Sequence, residues 1–410
     1  MNEARPGAAF ALSLGAITLV GPLSIHLFLP AMPDVKAHFA ASDALVQLTF
    51  SVTLITMAVV TPAYGTISDR YGRRRVLLAG LALFLAGSLV SAVAPTLAVL
   101  VFGRLVQAMG AGCGLTLTRA IARDAYGPAA LVKAIAYLSM AYTLGPMVAP
   151  PLGGLLIDAF GWRTAFLFAL AAGIAILAAA YFWVPETRPP SPGAPGQRGV
   201  LHHYGALLRD RRFVLFVLHS GCMSFMFFAV IVASPFLMKD VLGRTAAEYG
   251  LYFICFPIGY CAGNWISSRL SGRVTIEHMV LCGAILCFAA VLVQAVLILE
   301  GHFSPAIIFV PGSVFSVAQG LSLPNAQAGA IRVAPSLAGT AAGLGIFIQM
   351  FLSALATELY GVLADGTPVP MIWLSTLGSF LAVVTAVALF VGPRDASEPS
   401  LAAVPQFDER

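Results

Sequence analysis

Charged residues are scarce in this sequence. Of its 410 residues, only 10% are Asp, Glu, Lys or Arg, whereas soluble domains contain about 25% charged residues. So few charges cannot cover a soluble globule of this size, and 59% of the residues are hydrophobic. The composition therefore excludes an ordinary soluble protein and predicts a chain that crosses a lipid bilayer several times.

Cysteine is also rare, and the chain lacks the patterns typical of metal and catalytic sites. The six cysteines all fall within apolar segments and include no CxxC pair, so we expect neither a disulfide framework nor a metal site. No cluster of polar residues suits a nucleophile, a metal or a phosphate group. We therefore expect no enzymatic activity and no cofactor.

Long apolar runs are abundant, and they fall into two groups of six. Each run is long enough to cross roughly 30 Å of hydrocarbon as a helix. A polar segment rich in Pro, Gly and Arg separates the groups. The sequence predicts an all-α membrane protein with a six-helix bundle over 1–184, a cytoplasmic linker over 185–212, a second six-helix bundle over 213–392 and a disordered cytoplasmic tail over 393–410. The predicted spans are 8–30, 45–67, 76–94, 98–121, 131–157, 163–184, 213–238, 248–268, 275–299, 304–327, 337–363 and 369–392.

Basic residues are distributed unequally between the two sides of the predicted bundle. With the N-terminus inside, the outer loops contain only Lys36, Arg163, Lys239 and Arg244, and the other loop arginines and lysines are cytoplasmic. This is the positive-inside pattern of membrane proteins. It predicts that both termini are cytoplasmic, and it explains the net charge of +5 without nucleic acid as a partner.

The two halves resemble each other in the loop after their second span. "GTISDRYGRR" (65–74) follows span 2, and "NWISSRLSGR" (264–273) follows span 8, without the acid and with its glycine one position later. A duplication of six spans is typical of transporters in which two halves rock around a central site.

The first of these loops contains a motif of glycines, one acid and several arginines. Its members are Gly65, Asp69, Arg70, Gly72, Arg73 and Arg74. Glycine permits a tight turn, and the charges can form a latch that breaks when the halves separate. A loop that only anchors the topology is the alternative. The motif resembles the signature loop of the major facilitator superfamily, which implies that Asp69 faces the N-terminus of span 11, where the helix dipole favours an anion.

Span 4 contains a deeply placed arginine in the stretch "RLVQAMGAG". Arg104 and Gln107 resemble the R-x-x-Q-G motif of the same family, with Ala108 in place of the glycine. Arg104 lies about six residues, or roughly 9 Å, from the outer end of the predicted span. A guanidinium at that depth needs a partner or a wet cavity. A functional role and a purely structural pairing are both open.

Span 5 contains "GPMVAPPLGG", with Gly145, Pro146, Pro150, Gly153 and Gly154. The glycines permit close approach of another helix, and the prolines favour a bend. The stretch resembles the motif of proton-coupled exporters in the superfamily. An ordinary kinked packing helix is the alternative.

Together with "LPAMP" in span 1, "RD" after span 4 and "GWR" before span 6, these motifs resemble the bicyclomycin/chloramphenicol-resistance type of drug:proton antiporter. The resemblance covers nearly the whole chain. It implies a twelve-helix major facilitator fold, a monomer in the bacterial inner membrane, and proton-coupled efflux of small amphipathic drugs. A transporter of a native metabolite is the alternative.

His26 occupies the place in span 1 where the family usually has an aspartate. The low dielectric and Arg104 favour a neutral imidazole, which could accept a hydrogen bond from that arginine. A structural histidine and a proton carrier both remain open, whereas no second ligand lies at metal-binding spacing. Glu358 is the only carboxylate well inside a predicted span. It is a candidate proton carrier, unless span 11 ends sooner and leaves it in the interface.

The resemblance implies that spans 1, 4, 7 and 10 line a central cavity. Met223 and Phe227 suit a promiscuous apolar pocket, although packing or lipid contact explains them as well. Gln107 and Gln349 are candidate polar members of the pocket. With a neutral His26, such a cavity disfavours cations, because an unpaired buried charge is costly. We expect neutral or zwitterionic drugs to be preferred.

Overall fold

The computed structural model describes residues 7–126, 128–188 and 198–391. The first half consists of span 1 (Ala8–Thr18, Val20–His26 and Met32–Phe39), span 2 (Asp43–Tyr71), span 3 (Arg73–Ala92), span 4 (Leu97–Ala111 and Cys113–Ala125), span 5 (Pro128–Phe160) and span 6 (Arg163–Trp183). The second half consists of span 7 (Arg211–Phe236), span 8 (Ala246–Phe253 and Cys255–Leu270), span 9 (Ile276–Leu299), span 10 (Pro305–Val333), span 11 (Ala338–Leu363) and span 12 (Val369–Ala388).

These helices confirm the predicted all-α architecture of twelve spans. Within the described residues, eleven helices are long and apolar enough to cross a membrane. The remaining one, span 8, consists of two shorter helices that meet at Ile254. Span 7 continues into a short π-helix, Leu237–Val241.

Prolines explain why span 1 is broken twice. Pro22 has no N–H to donate to the carbonyl of Thr18, and the first helix ends there. Pro30 likewise has no N–H for the carbonyl of His26, and the second helix ends at that histidine. The breaks place His26 at the end of a helix in the middle of a span.

The segment predicted as a polar linker contains a helix, Arg198–Arg209. Its Leu207 is buried in a hydrophobic cluster with Phe213 and Phe216 of span 7. The helix therefore packs on the second half. The predicted tail over 393–410 lies outside the described residues.

The halves contact each other mainly through span 2 with span 11 and span 5 with span 8. We call the side with Gly72 and the linker helix the linker side, and the side with Gly161 and Gly243 the distal side. On the distal side, a Cβ atom at Gly154 would lie 2.2 Å from the carbonyl oxygen of Ala246 in the other half. On the linker side, by contrast, a Cβ atom at Gly65 would have nothing within 4 Å. The halves are therefore tightly packed at Gly154 on the distal side, whereas span 2 has an open face at Gly65 on the linker side.

Candidate functional site

Arg104 lies on span 4 inside the first half, and only 1% of its surface is exposed. Its Nη1 atom donates to the backbone carbonyl of Ser24 on span 1 at 2.8 Å and to Oε1 of Gln107 at 2.7 Å. Its Nε atom donates to the carbonyl of Thr49 on span 2 at 3.2 Å. The guanidinium therefore joins spans 1, 2 and 4 through uncharged acceptors.

Aromatic rings also surround this buried cation. The Arg104 guanidinium lies 4.7 Å from the ring centre of Phe28 and 5.8 Å from that of Phe166. The ring quadrupole attracts a cation, most strongly where water is excluded. Three acceptors and two rings thus compensate the charge of Arg104.

His26 and Arg104 do not form the expected pair in this structure. The Nε and Nη1 atoms of Arg104 donate to carbonyls and an amide, and its Nη2 atom is buried without a hydrogen-bond partner among the described residues. The His26 ring instead faces Phe253 of the second half at 5.9 Å between ring centres. The Nδ1 atom of His26 is buried without a hydrogen-bond partner among the described residues. The helix in span 1 ends at His26. The carbonyl of Ser24, which lies close to this break, accepts from Arg104 in the place that we expected the His26 imidazole to take.

Glu358 lies within span 11, which continues to Leu363, so it is not in an interfacial loop. Its carboxylate accepts a hydrogen bond from the hydroxyl of Ser51 on span 2. The two residues belong to different halves, and the side chain of Glu358 is only partly buried. Within the described residues, no hydrogen bond joins any two of His26, Arg104 and Glu358. The three predicted residues therefore occupy separate environments.

Polar contacts close the distal side of the molecule. Asp158, near the end of span 5, accepts hydrogen bonds from the backbone N–H groups of Ala246 at 3.1 Å and Ala247 at 2.9 Å. These groups begin span 8, and an anion is favoured at the N-terminus of a helix. Asp34 and Lys239 form an ion pair between the halves on the same side. We call Asp34, Asp158, Lys239 and the first turn of span 8 the distal gate.

On the linker side, the charges of the signature loop pair within the first half and the linker. Arg73 is 1% exposed, and its guanidinium contacts Asp69 at 2.6 Å and Asp124 at 3.0 Å. Asp69 also pairs with Arg188 at 3.0 Å. Both recorded partners of Asp69 thus differ from the expected one, the N-terminus of span 11. The expected contact with span 11 therefore stays a prediction.

The two glycines of the loop have different surroundings. Gly72 adopts a φ of +96°, which an L side chain rarely tolerates, and it forms the turn between spans 2 and 3. Gly65 is helical and faces open space.

The arginines of the loop have further contacts. The carboxylate of Glu186 accepts hydrogen bonds from the backbone N–H groups of Arg73 and Arg74. Arg70 lies over the ring of Tyr71, with 5.2 Å to the ring centre.

We predict that Asp69→Asn lowers transport about fivefold without lowering the amount of folded protein. In the predicted latch, the Asp69 carboxylate lies at the N-terminus of span 11. An exposed charge at a helix N-terminus contributes up to about 1 kcal/mol, which corresponds to a factor of about five in an equilibrium constant. Arg73 keeps Asp124 as its partner, so folding is maintained. Export and membrane yield are measured beside Asp365→Asn, a carboxylate of the exposed loop before span 12. Normal export by Asp69→Asn would contradict the latch.

The glycines of the span 5 motif face two different neighbours. A Cβ atom at Gly145 would lie 2.2 Å from Pro22, and one at Gly153 would lie 2.6 Å from the carbonyl of Leu27, both in span 1. Gly154 instead faces span 8 of the other half. The prolines of the motif, Pro146, Pro150 and Pro151, lie inside the helix. The motif therefore packs span 5 on span 1 and on the distal gate.

The four residues predicted for a substrate pocket have different degrees of exposure. Met223 is wholly buried and contributes no surface to a cavity in this conformation. Gln107 is also buried, where it donates to Ser88 and accepts from Arg104. Phe227 and Gln349 are partly exposed. Gln349 donates to Ser224 at 2.8 Å and accepts from Gln327 at 3.3 Å.

Sequence reasoning overlooked two basic side chains within the spans. His219 on span 7 is buried and bonded on both ring nitrogens, to the carbonyl of Ala382 at 3.0 Å and to the hydroxyl of Ser322 at 2.5 Å. It is a structural residue that joins spans 7, 10 and 12. Arg119 on span 4 is exposed and shows no ion pair among the described residues. Arg119 lies two residues from the end of the predicted span 98–121, so the depth criterion applied to Arg104 does not identify it, whereas the helix in the structure continues to Ala125.

Twelve spans in two halves, a buried arginine and cross-half contacts on one side define a membrane transporter. The family model of the major facilitator superfamily matches residues 14–357, and the chain belongs to this superfamily. Multidrug resistance protein D of Escherichia coli K12 is 30% identical over 377 residues, covering 91% of this chain and 93% of that protein. The uncharacterized MFS-type transporter YdgK of Bacillus subtilis is 28% identical over 386 residues, covering 93% and 94%.

Solved structures show the same fold. The xylose transporter XylE of E. coli, in a partially occluded inward open conformation, superimposes with a TM-score of 0.73 at 13% identity. The match covers 95% of this chain and 99% of XylE. At this identity the likeness concerns the fold alone.

Proposed function

We propose that this transporter exports small amphipathic drugs from the bacterial cytoplasm in exchange for protons. In this proposal the protein is a drug:proton antiporter of the bicyclomycin/chloramphenicol-resistance type. Its substrates are phenicol-like molecules, and it works as a monomer in the inner membrane. Similarity to Multidrug resistance protein D supports export of drugs. The distribution of arginines supports a cytoplasmic linker side, so that the structure corresponds to an inward-open state.

The proposal of proton coupling rests on the hydrogen bond between Ser51 and Glu358. It joins a carboxylate of span 11 to a hydroxyl of span 2. Opening of the distal side separates these spans and removes the hydroxyl from the carboxylate. A group whose partner changes between two conformations binds protons differently in each. Glu358 would thus take up a proton from the outside and release it after the distal gate closes.

His26 is the less favoured proton carrier in this proposal. Its imidazole packs against the Phe253 ring, and its Nδ1 atom lacks a partner. The contact with Phe253 crosses between the halves, but it is a ring contact and gives the imidazole no hydrogen-bond partner that would change when the distal gate opens. We assign His26 to lining the boundary between the halves.

The test is proton movement across proteoliposomes that contain the purified protein and a pH-sensitive dye. Addition of chloramphenicol should cause proton release by the wild type, and Glu358→Gln should abolish this signal while drug binding remains. Glu300→Gln, at the exposed end of span 9, is the matched control. Proton movement retained by Glu358→Gln and lost by His26→Asn would transfer the role to His26. Drug transport without proton movement would refute coupling altogether.

A further inference from the structure

A groove of about 440 Å³ lies between the first helix of span 1 and the start of span 5. Its walls include Ala8 and Leu12 of span 1, Tyr126 after span 4, and Lys133, Ala134 and Tyr137 of span 5. Among the described residues that line the groove, Lys133 is the one charged group. Asp124, two residues before Tyr126, pairs with Arg73 of the signature loop, so the groove lies on the linker side.

Span 5 has a face for each half of the molecule and a third face that contacts neither. Gly153 faces span 1, and Gly154 faces span 8. The third face contains Leu144, Val148 and Leu155, which are exposed by 48%, 54% and 56%. Leu155 follows Gly154, where the halves are packed together, so its exposed side chain does not lie between the halves. This face is therefore directed to the lipid.

The groove opens on the same lipid-facing side. Tyr137 lies about five helical turns before Leu155 on the continuous helix of span 5. Lys133 lies about three turns before Leu144, so both side chains continue the lipid-facing row towards the linker side. On the other wall of the groove, Leu12 of span 1 is 64% exposed. The groove is thus accessible from the membrane.

The charge and the apolar interior of the groove lie at different depths. A Cβ atom at Gly15 of span 1 would lie 2.8 Å from the hydroxyl oxygen of Tyr137, so this tyrosine closes the deep end. Lys133 lies about one turn nearer to the linker side. Its side chain is exposed, and it has no ion partner among the described residues. A lysine near the end of a span extends its ammonium to the headgroup region.

These features match the chemistry of an anionic phospholipid. Lipid tails are as apolar as the groove, so contact with a chain alone gives no preference among lipids. The preference comes from the headgroup, because basic pockets between spans on the cytoplasmic side bind anionic lipid headgroups. A zwitterionic headgroup has the same phosphate, but its own cation offsets the attraction to Lys133. The hydroxyl of Tyr126, at the membrane interface, is a further donor.

We propose that this groove binds an anionic phospholipid from the leaflet on the linker side, with the phosphate at Lys133 and one acyl chain between spans 1 and 5. The bound lipid would fill the gap between these two spans of the first half. The proposal concerns the membrane and does not depend on which substrate the protein transports.

The experiment measures lipid binding to the purified full-length protein by native mass spectrometry. The probes are palmitoyl-oleoyl phosphatidylglycerol and palmitoyl-oleoyl phosphatidylcholine, which have identical chains, and the dissociation constants of the first bound lipid are compared. We expect Lys133→Gln to weaken binding of phosphatidylglycerol about fivefold and of phosphatidylcholine less than twofold. A fivefold change corresponds to about 1 kcal/mol, the contribution of one basic residue near an anionic membrane surface.

Two further variants separate the groove from the general basic character of this side. Ala134→Leu adds volume inside the groove and should weaken binding of both lipids. If this variant does not fold, Ala8→Leu fills the groove from span 1 instead. Arg75→Gln is the matched control, because Arg75 is an exposed arginine at the start of span 3 on the same side. It should change neither dissociation constant.

Other results would overturn the site. Unchanged constants in Lys133→Gln, or equal losses for both lipids, would remove the preference for an anionic headgroup. A loss in Arg75→Gln as large as that in Lys133→Gln would mean a diffuse attraction to the basic side. Unchanged binding in the variant that fills the groove would place the lipid elsewhere. Competitive displacement of phosphatidylglycerol by chloramphenicol would make the groove a drug site instead.

Discussion

Gly154→Ala should hold the distal side open and reduce drug export at least tenfold. The added Cβ atom would lie 2.2 Å from the Ala246 carbonyl oxygen and 2.9 Å from the Cα atom of Ala247. Both atoms are backbone, so no side chain can rotate away, and the halves must separate. Overpacking of this kind costs about 1–3 kcal/mol, and 1.4 kcal/mol changes an equilibrium tenfold.

The measurement is the distance between spin labels on the two halves of the distal side. Labels at Phe160 and Leu299, two exposed positions at span ends, are introduced into a cysteine-free background. Gly154→Ala should lengthen the main distance, whereas Gly205→Ala should not, because a Cβ atom at Gly205 meets nothing within 4 Å. Gly65→Ala, on the open linker side, should also leave the distal distance short. An unchanged distance together with normal export would contradict the role of Gly154.

The contacts of Gly154 illustrate how far sequence predicts this fold. Apolar runs of span length are sufficient to predict twelve helices, because a bilayer requires every backbone group to be paired within the segment. The glycines of span 5 also predict close helix contacts. The sequence does not, however, tell which helix each glycine faces. Gly153 and Gly154 are adjacent, yet they pack on different halves of the molecule.

The candidate site was predictable only in part, for the same reason. Arg104 is identified by its depth, but its partners are backbone carbonyls, which have no sequence pattern. The bond from Ser51 to Glu358 joins residues 307 positions apart. Such contacts depend on how the halves pack in one conformation, which composition and periodicity do not encode. Asp158 was likewise missed, because a helix N-terminus in the other half becomes its partner only after folding.

Arg104→Lys should abolish most drug export and also destabilise the protein. The guanidinium donates in two directions, to the Ser24 carbonyl on span 1 and to the Thr49 carbonyl on span 2. A lysine retains the charge but has one compact ammonium group, which lacks this planar fork. At least one buried acceptor would lose its donor, at about 1–3 kcal/mol for each such group.

Thermal unfolding in detergent and export from cells are measured for Arg104→Lys and for Arg244→Lys. Arg244 is an exposed arginine whose recorded ion partner is Glu248, so its replacement by lysine should change neither quantity. For Arg104→Lys we expect a midpoint lowered by several degrees and export reduced at least tenfold. Lost export with an unchanged midpoint would mean that the guanidinium acts in transport more than in joining the spans. Full export with an unchanged midpoint would show that Arg104 serves only as a positive charge, because lysine would then replace every contact that the fork makes with spans 1 and 2.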